Sequence, residues 1–199
     1  TTRIRDIVRS LRNFSRLDEA GRKAVDLHSG IDSTLMILNT RLKATHQRGD
    51  IQIVKEYGDL PLVECFPGQL NQVFMNILAN AIDAIEESFA RNNYSNHNYR
   101  GKINIRTERI ASTDATHCDR VVVRIVDNGL GMSEAVQQRI FNPFYTTKDP
   151  GKGTGMGLSI SYQIVTERHG GQLRCRSELG EGAEFIVELP LVMEGKGDW

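Results

Sequence analysis

The chain has 199 residues, with 25 Lys and Arg set against 25 Asp and Glu, so its formal net charge is zero. That balance advertises no nucleic-acid partner and no electrostatic hold on a membrane, and the length suffices for one domain with a substantial core plus an appendage. Cys65, Cys118 and Cys175 are odd in number and far apart, which excludes a simple disulfide framework or zinc ribbon and fits a reducing, cytoplasmic setting.

Residues 2–18 place Ile4, Ile7, Val8, Leu11 and Phe14 on one face, an amphipathic helix that needs a docking surface. This Arg-rich start reads as helix rather than signal peptide, and no apolar run approaches the ~20 residues of a membrane span. An anchor, if the parent protein has one, is expected outside this sequence. Gly21 ends the first helix and residues 21–30 read as a linker. A second helix is predicted around Ile31–Lys43, with Ile31, Leu35, Leu38 and Leu42 as its stripe. Arg48-Gly49-Asp50 breaks it. Ile51–Tyr57 alternates as a strand, Gly58–Pro61 turns the chain, and Val63–Phe66 is a short strand.

Pro67-Gly68 leads into the segment around which the chain is organised, Asn71–Ile85. Val73, Phe74, Ile77, Leu78, Ala81, Ile82 and Ile85 form a broad apolar face at helical spacing. Gln72, Asn76, Asn80 and Asp83 stack as a polar stripe on the other side. Such a stripe can be a solvated face. Asn, however, competes for backbone hydrogen bonds and is a poor helix former, so two mid-helix Asn call for another reason.

Arg91–Arg100 has no periodicity and reads as a surface loop. Lys102–Ile110 and Arg120–Asp127 alternate as a hairpin with one wet face, joined by a polar linker. Residues 128–154 hold only one short helix, near Ser133–Ile140 and capped by Ser133, and loops this long are usually functional. A helix from Gly155 to Arg168 and two strands, Gln172–Ser177 and Ala183–Leu189, close the domain. Residues 193–199 form a frayed tail. Strands wet on one face with helices over the other predict an α+β, two-layer sandwich.

Asp127 is in phase with Val121, Val123 and Ile125, so it faces the covered side at a strand end, where a carboxylate needs a donor. Asp127-Asn128-Gly129 can be a simple turn, with the carboxylate bonding its own backbone. It can equally receive an exocyclic amine such as that of adenine, with Gly129 and Gly131 letting the backbone approach the base. Gly151, Gly153, Gly155 and Gly157 alternate before an apolar helix, a pattern that suits phosphate binding and that linkers share. It is neither a Walker A loop, since Gly153 follows Lys152, nor a Rossmann turn, since no strand precedes it. Asn80 offers a neutral oxygen to a cation, and Mg²⁺ can take one such ligand while keeping waters and phosphate oxygens; a buried structural Asn is the equal alternative.

NQVFMNILANAIDA, VDNGLGM, FNPFYTTK, GKGTGMGLSIS and GEGAEF, in this order and spacing, resemble the N box, first glycine box, F box, second glycine box and third glycine box of sensor histidine kinases. The nitrogen-regulation-like branch is the most similar. The resemblance spans roughly residues 30–190 and implies a Bergerat-type ATP site. Asn80 would bind Mg²⁺, Asp127 the adenine amine, and Asn76 and Lys148 the phosphates as catalytic residues. Asp83, Gly129, Gly131, Phe144, Thr146, Thr147, Gly153, Thr154, Gly155, Met156, Gly157 and Leu158 would complete the ATP-binding set. Residues 130–152 would be the ATP lid and 31–192 the catalytic domain. Ala183 departs from the Thr that many relatives carry in the third glycine box.

The same resemblance makes residues 1–20 the second helix of a dimerisation hairpin, whose first helix carries the phosphoacceptor histidine followed by an acidic residue. None of His28, His46, His97, His117 and His169 has that neighbour, and His28 and His46 read as surface or linker histidines. Implied partners are the chain's own hairpin, a second copy of the full-length protein and a downstream response regulator. A hydrolytic ATPase of the same fold and a non-catalytic nucleotide sensor are the alternatives. Hydrolytic relatives carry a water-activating Glu one turn before the metal Asn, where this chain has Asn76.

Overall fold

The computed structural model describes residues 21–45, 48–92, 100–112, 118–148 and 153–191. The amphipathic segment 2–18 and the tail at 193–199 lie outside them. Residues 21–30 are not a linker: Lys23–Val25 is a strand, β1, and α1 (Leu27–Leu42) starts four residues ahead of the expected helix. Asp26 explains the early start. Its carboxylate accepts the His28 N–H (2.9 Å), capping the first turn. β2 (Gln52–Tyr57) and β3 (Val63–Cys65) follow. β3 pairs antiparallel with β1 in a small ribbon of its own, outside the main sheet.

The central helix, α2, runs over Pro67–Asn92, longer at both ends than its apolar pattern indicated. Pro67 is its first residue, where a missing N–H removes no helical bond. Val73, Phe74, Ile77, Leu78, Ala81, Ile82 and Ile85 are all 2% exposed or less, as the periodicity predicts. Burying a side chain of this size contributes roughly 1.5–3 kcal/mol, so this face is the main tie between layers. α2 packs on α1, on the last helix and on the sheet behind them.

That sheet has the order β2–β4–β5–β7–β6, with β4 at Lys102–Ile110, β5 at Arg120–Asp127, β6 at Gln172–Glu178 and β7 at Gly182–Pro190. β2 and β4 are parallel and every other pair is antiparallel, so the sheet is mixed. Its covered face carries Ile103, Ile105, Val121, Val123, Ile125, Phe185, Val187 and Leu189, all buried. This is the expected α+β two-layer arrangement.

The other face is less wet than expected. Arg124 joins Glu108 and Glu184 there, while Arg120 and Arg174 both reach Glu188. Yet Val122 and Ile186 on this face are 0% and 2% exposed. Ile186 has Arg124 and Arg174 as its register neighbours, and the methylene stems of such residues readily cover apolar surface.

Two helix boundaries also differ. α3 is a single turn, Glu134–Gln137. Ser133 holds the N-cap position but its side chain makes no capping bond. α3 is fastened instead by Gln137, whose amide donates to Ser177 O (2.7 Å) and accepts from Ser177 N (3.0 Å), mimicking a strand partner for β6. α4 spans Gly157–Gln163 and then widens into a π-turn, Ile164–Arg168. No helix among the described residues is long and apolar enough to cross a membrane.

Candidate functional site

The polar face of α2 meets three different segments. Asn76 comes first: its Nδ2 donates to Gly157 O (2.9 Å) and Ser161 Oγ (3.0 Å), fixing the first turn of α4 against α2. A Cβ at Gly157 would stand in ordinary contact with the Asn76 amide, at 3.4 Å, so this pairing does not itself require glycine. One turn on, Asn80 Oδ1 accepts a bond from Lys148 Nζ (3.1 Å), and Lys148 also pairs with Asp83. Leu158 is half-buried against the core beneath this junction.

At the far end of the stripe lies Asp127. Its neighbour Gly129 packs on α2, where a Cβ would stand 2.7 Å from Ala84, and Leu130 N donates to Ala84 O (3.4 Å). Gly129 is therefore demanded by helix packing, a reason the sequence reading did not supply. Gly131 turns away to the β6–β7 connection: its φ is +66° and a Cβ would strike Glu178 O.

Asp127 is 4% exposed on the covered face, as its phase predicts. It accepts a bond from Gly129 N (2.8 Å), so the turn reading is physically present. That bond does not settle its electrostatics. Burial pushes its pKa up to about 6, against the lowering effect of the Gly129 and Ala183 backbone donors. Among the described residues no cation pairs with it. A buried carboxylate with only backbone donors suits a ligand that brings an N–H of its own. Cys175 stands on the same wall of the sheet; burial chiefly, then the charges of Asp127 and Glu184, push its thiol up to about 12.

Residues 144–148 and 153–156 come together beside the stripe, with Lys148 reaching it at Asn80 and Asp83. Gly155 (φ +65°) lies so close to Phe144 that a Cβ would be 2.5 Å from the Phe144 carbonyl carbon. Phe144 itself has φ +64° and is 74% exposed, an uncommon backbone for a bulky residue. Thr146 Oγ1 accepts the Lys148 N–H (3.1 Å), and Gly153 sits against both side chains. Thr147, Thr154 and Met156 are exposed beside them. The structure thus gathers Asn76, Asn80, Asp83, Lys148 and the loop glycines, sets Asp127 at one end, and leaves Gly131 packed elsewhere.

Sequence reasoning missed Arg41 and Arg48. Arg41 on α1 pairs with Asp83 and with Glu86 (2.8 Å). Burial opposes its charge, but bonds to these two carboxylates outweigh it and raise its pKa. The signal was present: Asp83 and Glu86, three apart on one helix face, form an acidic pair that calls for a cation. His28 is not a linker residue either. It lies on α1, stacked on Tyr57 at 4.2 Å with Nε2 2.8 Å from Thr107 Oγ1.

These residues suit a magnesium nucleotide. A cationic group already sits on Asn80 and Asp83, so that point accepts positive charge, and Asp127 offers a buried acceptor on the sheet beside the Ala84 end of the same stripe. A cavity of about 370 Å³, lined in part by Val25, Cys65, Leu70 and Phe74, lies beside the start of α2 and contains none of these groups. The chemistry, not the volume, marks the site.

Residues 66–193 match the histidine kinase-, DNA gyrase B- and HSP90-like ATPase family. The sensor kinase CckA of Brucella abortus is 36% identical over 98% of this chain, which spans 20% of that relative's length. The nucleotide-free catalytic domain of histidine kinase ThkA superimposes with a TM-score of 0.65 at 27% identity, over 85% of this chain and 95% of that one. Full-length ShkA, solved with AMPPNP, gives 0.64 at 26% identity, over 94% of this chain and 35% of that one. The motifs, the mixed sheet and these matches agree: the chain belongs to the histidine kinase-, DNA gyrase B- and HSP90-like ATPase family, as a catalytic domain of the sensor histidine kinase type.

Proposed function

We propose that this domain binds Mg-ATP along the polar face of α2 and transfers the γ-phosphoryl group to a histidine on a dimerisation hairpin. The observation that carries the reading is the layout of that face. A buried carboxylate, Asp127, stands by the Ala84 end of the stripe, where Lys148 joins Asn80 to Asp83. Asp127 accepts the adenine amine. Asn76 holds α4 in place, so that Gly157 and the loop before it border the phosphates. Asn80 is the protein ligand to Mg²⁺, which supplies charge neutralisation to the phosphates when bound. Lys148 brings a second positive charge to the group being transferred. Catalysis of this kind is mainly positioning and charge stabilisation.

Residues 1–20 are the second helix of the hairpin in this reading, residues 31–192 the catalytic domain, and 130–152 its lid. The full-length protein acts as a homodimer, receives no nucleic acid, works in the cytoplasm and passes its phosphoryl group to a response regulator. ShkA, solved with AMPPNP, supports the nucleotide assignment by similarity.

Hydrolysis is the competing reading, and Asn76 argues against it. A carboxamide cannot take a proton at neutral pH, and this one already donates to α4. Calorimetry with Mg-ATP, Mg-GTP and ATP in EDTA tests the site. Preference for ATP and dependence on Mg²⁺ are expected; equal affinity for GTP would remove Asp127 from adenine recognition. Steady-state phosphate release should be negligible. Release that survives Asn76→Ala would favour the hydrolase. Supplying a hairpin that bears the acceptor histidine should yield acid-labile label from γ-labelled ATP.

A further inference from the structure

The Lys148 ammonium ends a ladder of alternating charges that crosses α1 and α2. Arg48, 6% exposed, donates to Glu86 (2.8 Å) and to the Lys43 carbonyl (3.0 Å) just beyond α1. Glu86 also holds Arg41, Arg41 holds Asp83, and Asp83 holds Lys148. Lys148 Nζ then reaches Asn80 Oδ1 at 3.1 Å. Three cations (Arg48, Arg41, Lys148) face two carboxylates (Glu86, Asp83), so the ladder carries one net positive charge with Lys148 in place and none without it.

Resting on the functional reading above, we propose that Lys148 is the resident counter-cation of Asn80 in the nucleotide-free protein, so that Mg²⁺ reaches Asn80 only with a phosphate chain that draws the ammonium away. An ammonium and a divalent cation cannot share one amide oxygen, and their repulsion at such range is strong in any medium less polar than bulk water. The ladder also makes the exchange reversible. When Lys148 leaves, Arg41 still pairs with Asp83 and no bare carboxylate remains. Arg41 is thus a positioning residue: it keeps Asp83 turned toward the place to which Lys148 returns.

The Lys148 stem lies against Gly153, where a Cβ would stand 3.1 Å from Lys148 Cδ, and the Lys148 N–H is held by Thr146, so the side chain can swing from a fixed backbone position. A nucleoside without phosphates brings nothing that can draw Lys148 off, and leaves Asn80 closed to metal.

Mn²⁺ binding, followed by the spin-resonance signal of the free ion, tests this without turnover. In wild-type protein alone, and with adenosine, Mn²⁺ binding should be weak; ADP or ATP should switch it on, beyond the Mn²⁺ taken up by the same nucleotide without protein. Lys148→Met should bind Mn²⁺ without nucleotide about tenfold more tightly than wild type, from the removal of one positive charge. Adding Asn80→Ala to Lys148→Met should abolish that gain. Equal nucleotide-free Mn²⁺ affinity in wild type and Lys148→Met, with Mg-dependent ATP binding intact in wild type, overturns the counter-cation role alone. Wild-type ATP binding that ignores Mg²⁺ would instead overturn the metal role of Asn80, and the present inference with it.

Discussion

His169 and Asp127 are both titratable, both almost wholly buried, and both placed where a helix meets the sheet, yet they are surrounded in opposite ways. His169, 1% exposed, has a use for each ring nitrogen. Nε2 accepts the Phe66 N–H (3.0 Å) and Nδ1–H donates to Ile164 O (2.8 Å). The ring also meets Phe66 edge-on at 5.5 Å. It ties the π-turn after α4 to the residue just before α2. Asp127 has backbone donors and, among the described residues, no cation, and burial leaves its charge under-supported. A polar group that builds the fold is partnered on all sides. A carboxylate left incomplete in this way is where a ligand's N–H would complete the set, and its buried charge opposes folding.

The largest expected effect is at His169. His169→Ala removes an acceptor from Phe66 N and a donor from Ile164 O and opens a void, a loss of about 3 kcal/mol in urea denaturation. His169→Gln, able to replace one bond, should recover part of it. A loss below the scatter of surface variants would show that the two bonds do not matter.

Asp127→Asn should move two quantities in opposite directions. Affinity for ATP should fall by roughly ten- to a hundredfold, since a donor would face the adenine amine, a mismatch of about 1–3 kcal/mol. Stability of the nucleotide-free protein should rise. With a pKa raised from 3.8 to about 6, the ionised carboxylate opposes folding above pH 6 by on the order of 2–3 kcal/mol. Were Asp127 only a turn former, the variant would lose stability and keep its affinity.

The pH dependence sharpens the contrast. As pH falls through 6 towards 3.8 the native Asp127 takes its proton before the unfolded one, so its contribution to stability rises. His169 runs the other way. Burial chiefly, with the charge of Arg22 adding to it, lowers its pKa below 6.5 against the Ile164 bond that raises it, so the unfolded chain binds the proton first and stability falls as pH drops below 6.5. Asp127→Asn should therefore lose stability more steeply than wild type between pH 7 and 5. Urea midpoints across that range give the answer. Parallel curves would mean that Asp127 does not titrate there.

Much of this was legible in the sequence because periodicity reports burial directly. Val73 through Ile85 and the alternation of β5 placed the core and put Asp127 on the covered face. The ordered glycine motifs named the family. What was not legible depends on contacts between distant segments. Nothing near residue 169 shows that Phe66 needs an acceptor, and nothing near residue 41 shows that Asp83 and Glu86 lie within reach. The linker assigned to 21–30 failed for a related reason: a three-residue strand has too few positions to show a period, and β1 exists only because β3 pairs with it.

The smallest effect applies the same rule to two serines. Ser133 sits at the N-cap of α3, a place where Ser to Ala typically costs about 1 kcal/mol, but its hydroxyl makes no capping bond. Ser177 is an unremarked strand residue whose Oγ donates to Gly182 O (2.6 Å) and accepts Met132 N (2.8 Å), tying the base of the proposed lid to β6. If complete partnering marks the structural polar groups, the order expected from local sequence must invert. Ser177→Ala should lose about 1–2 kcal/mol, with Gly182 O and Met132 N left short of a partner. Ser133→Ala should change stability by no more than about 0.5 kcal/mol, as surface substitutions do. Paired thermal or urea denaturation of the two variants decides it, and a Ser133→Ala loss equal to or greater than that of Ser177→Ala would show that the cap forms in solution.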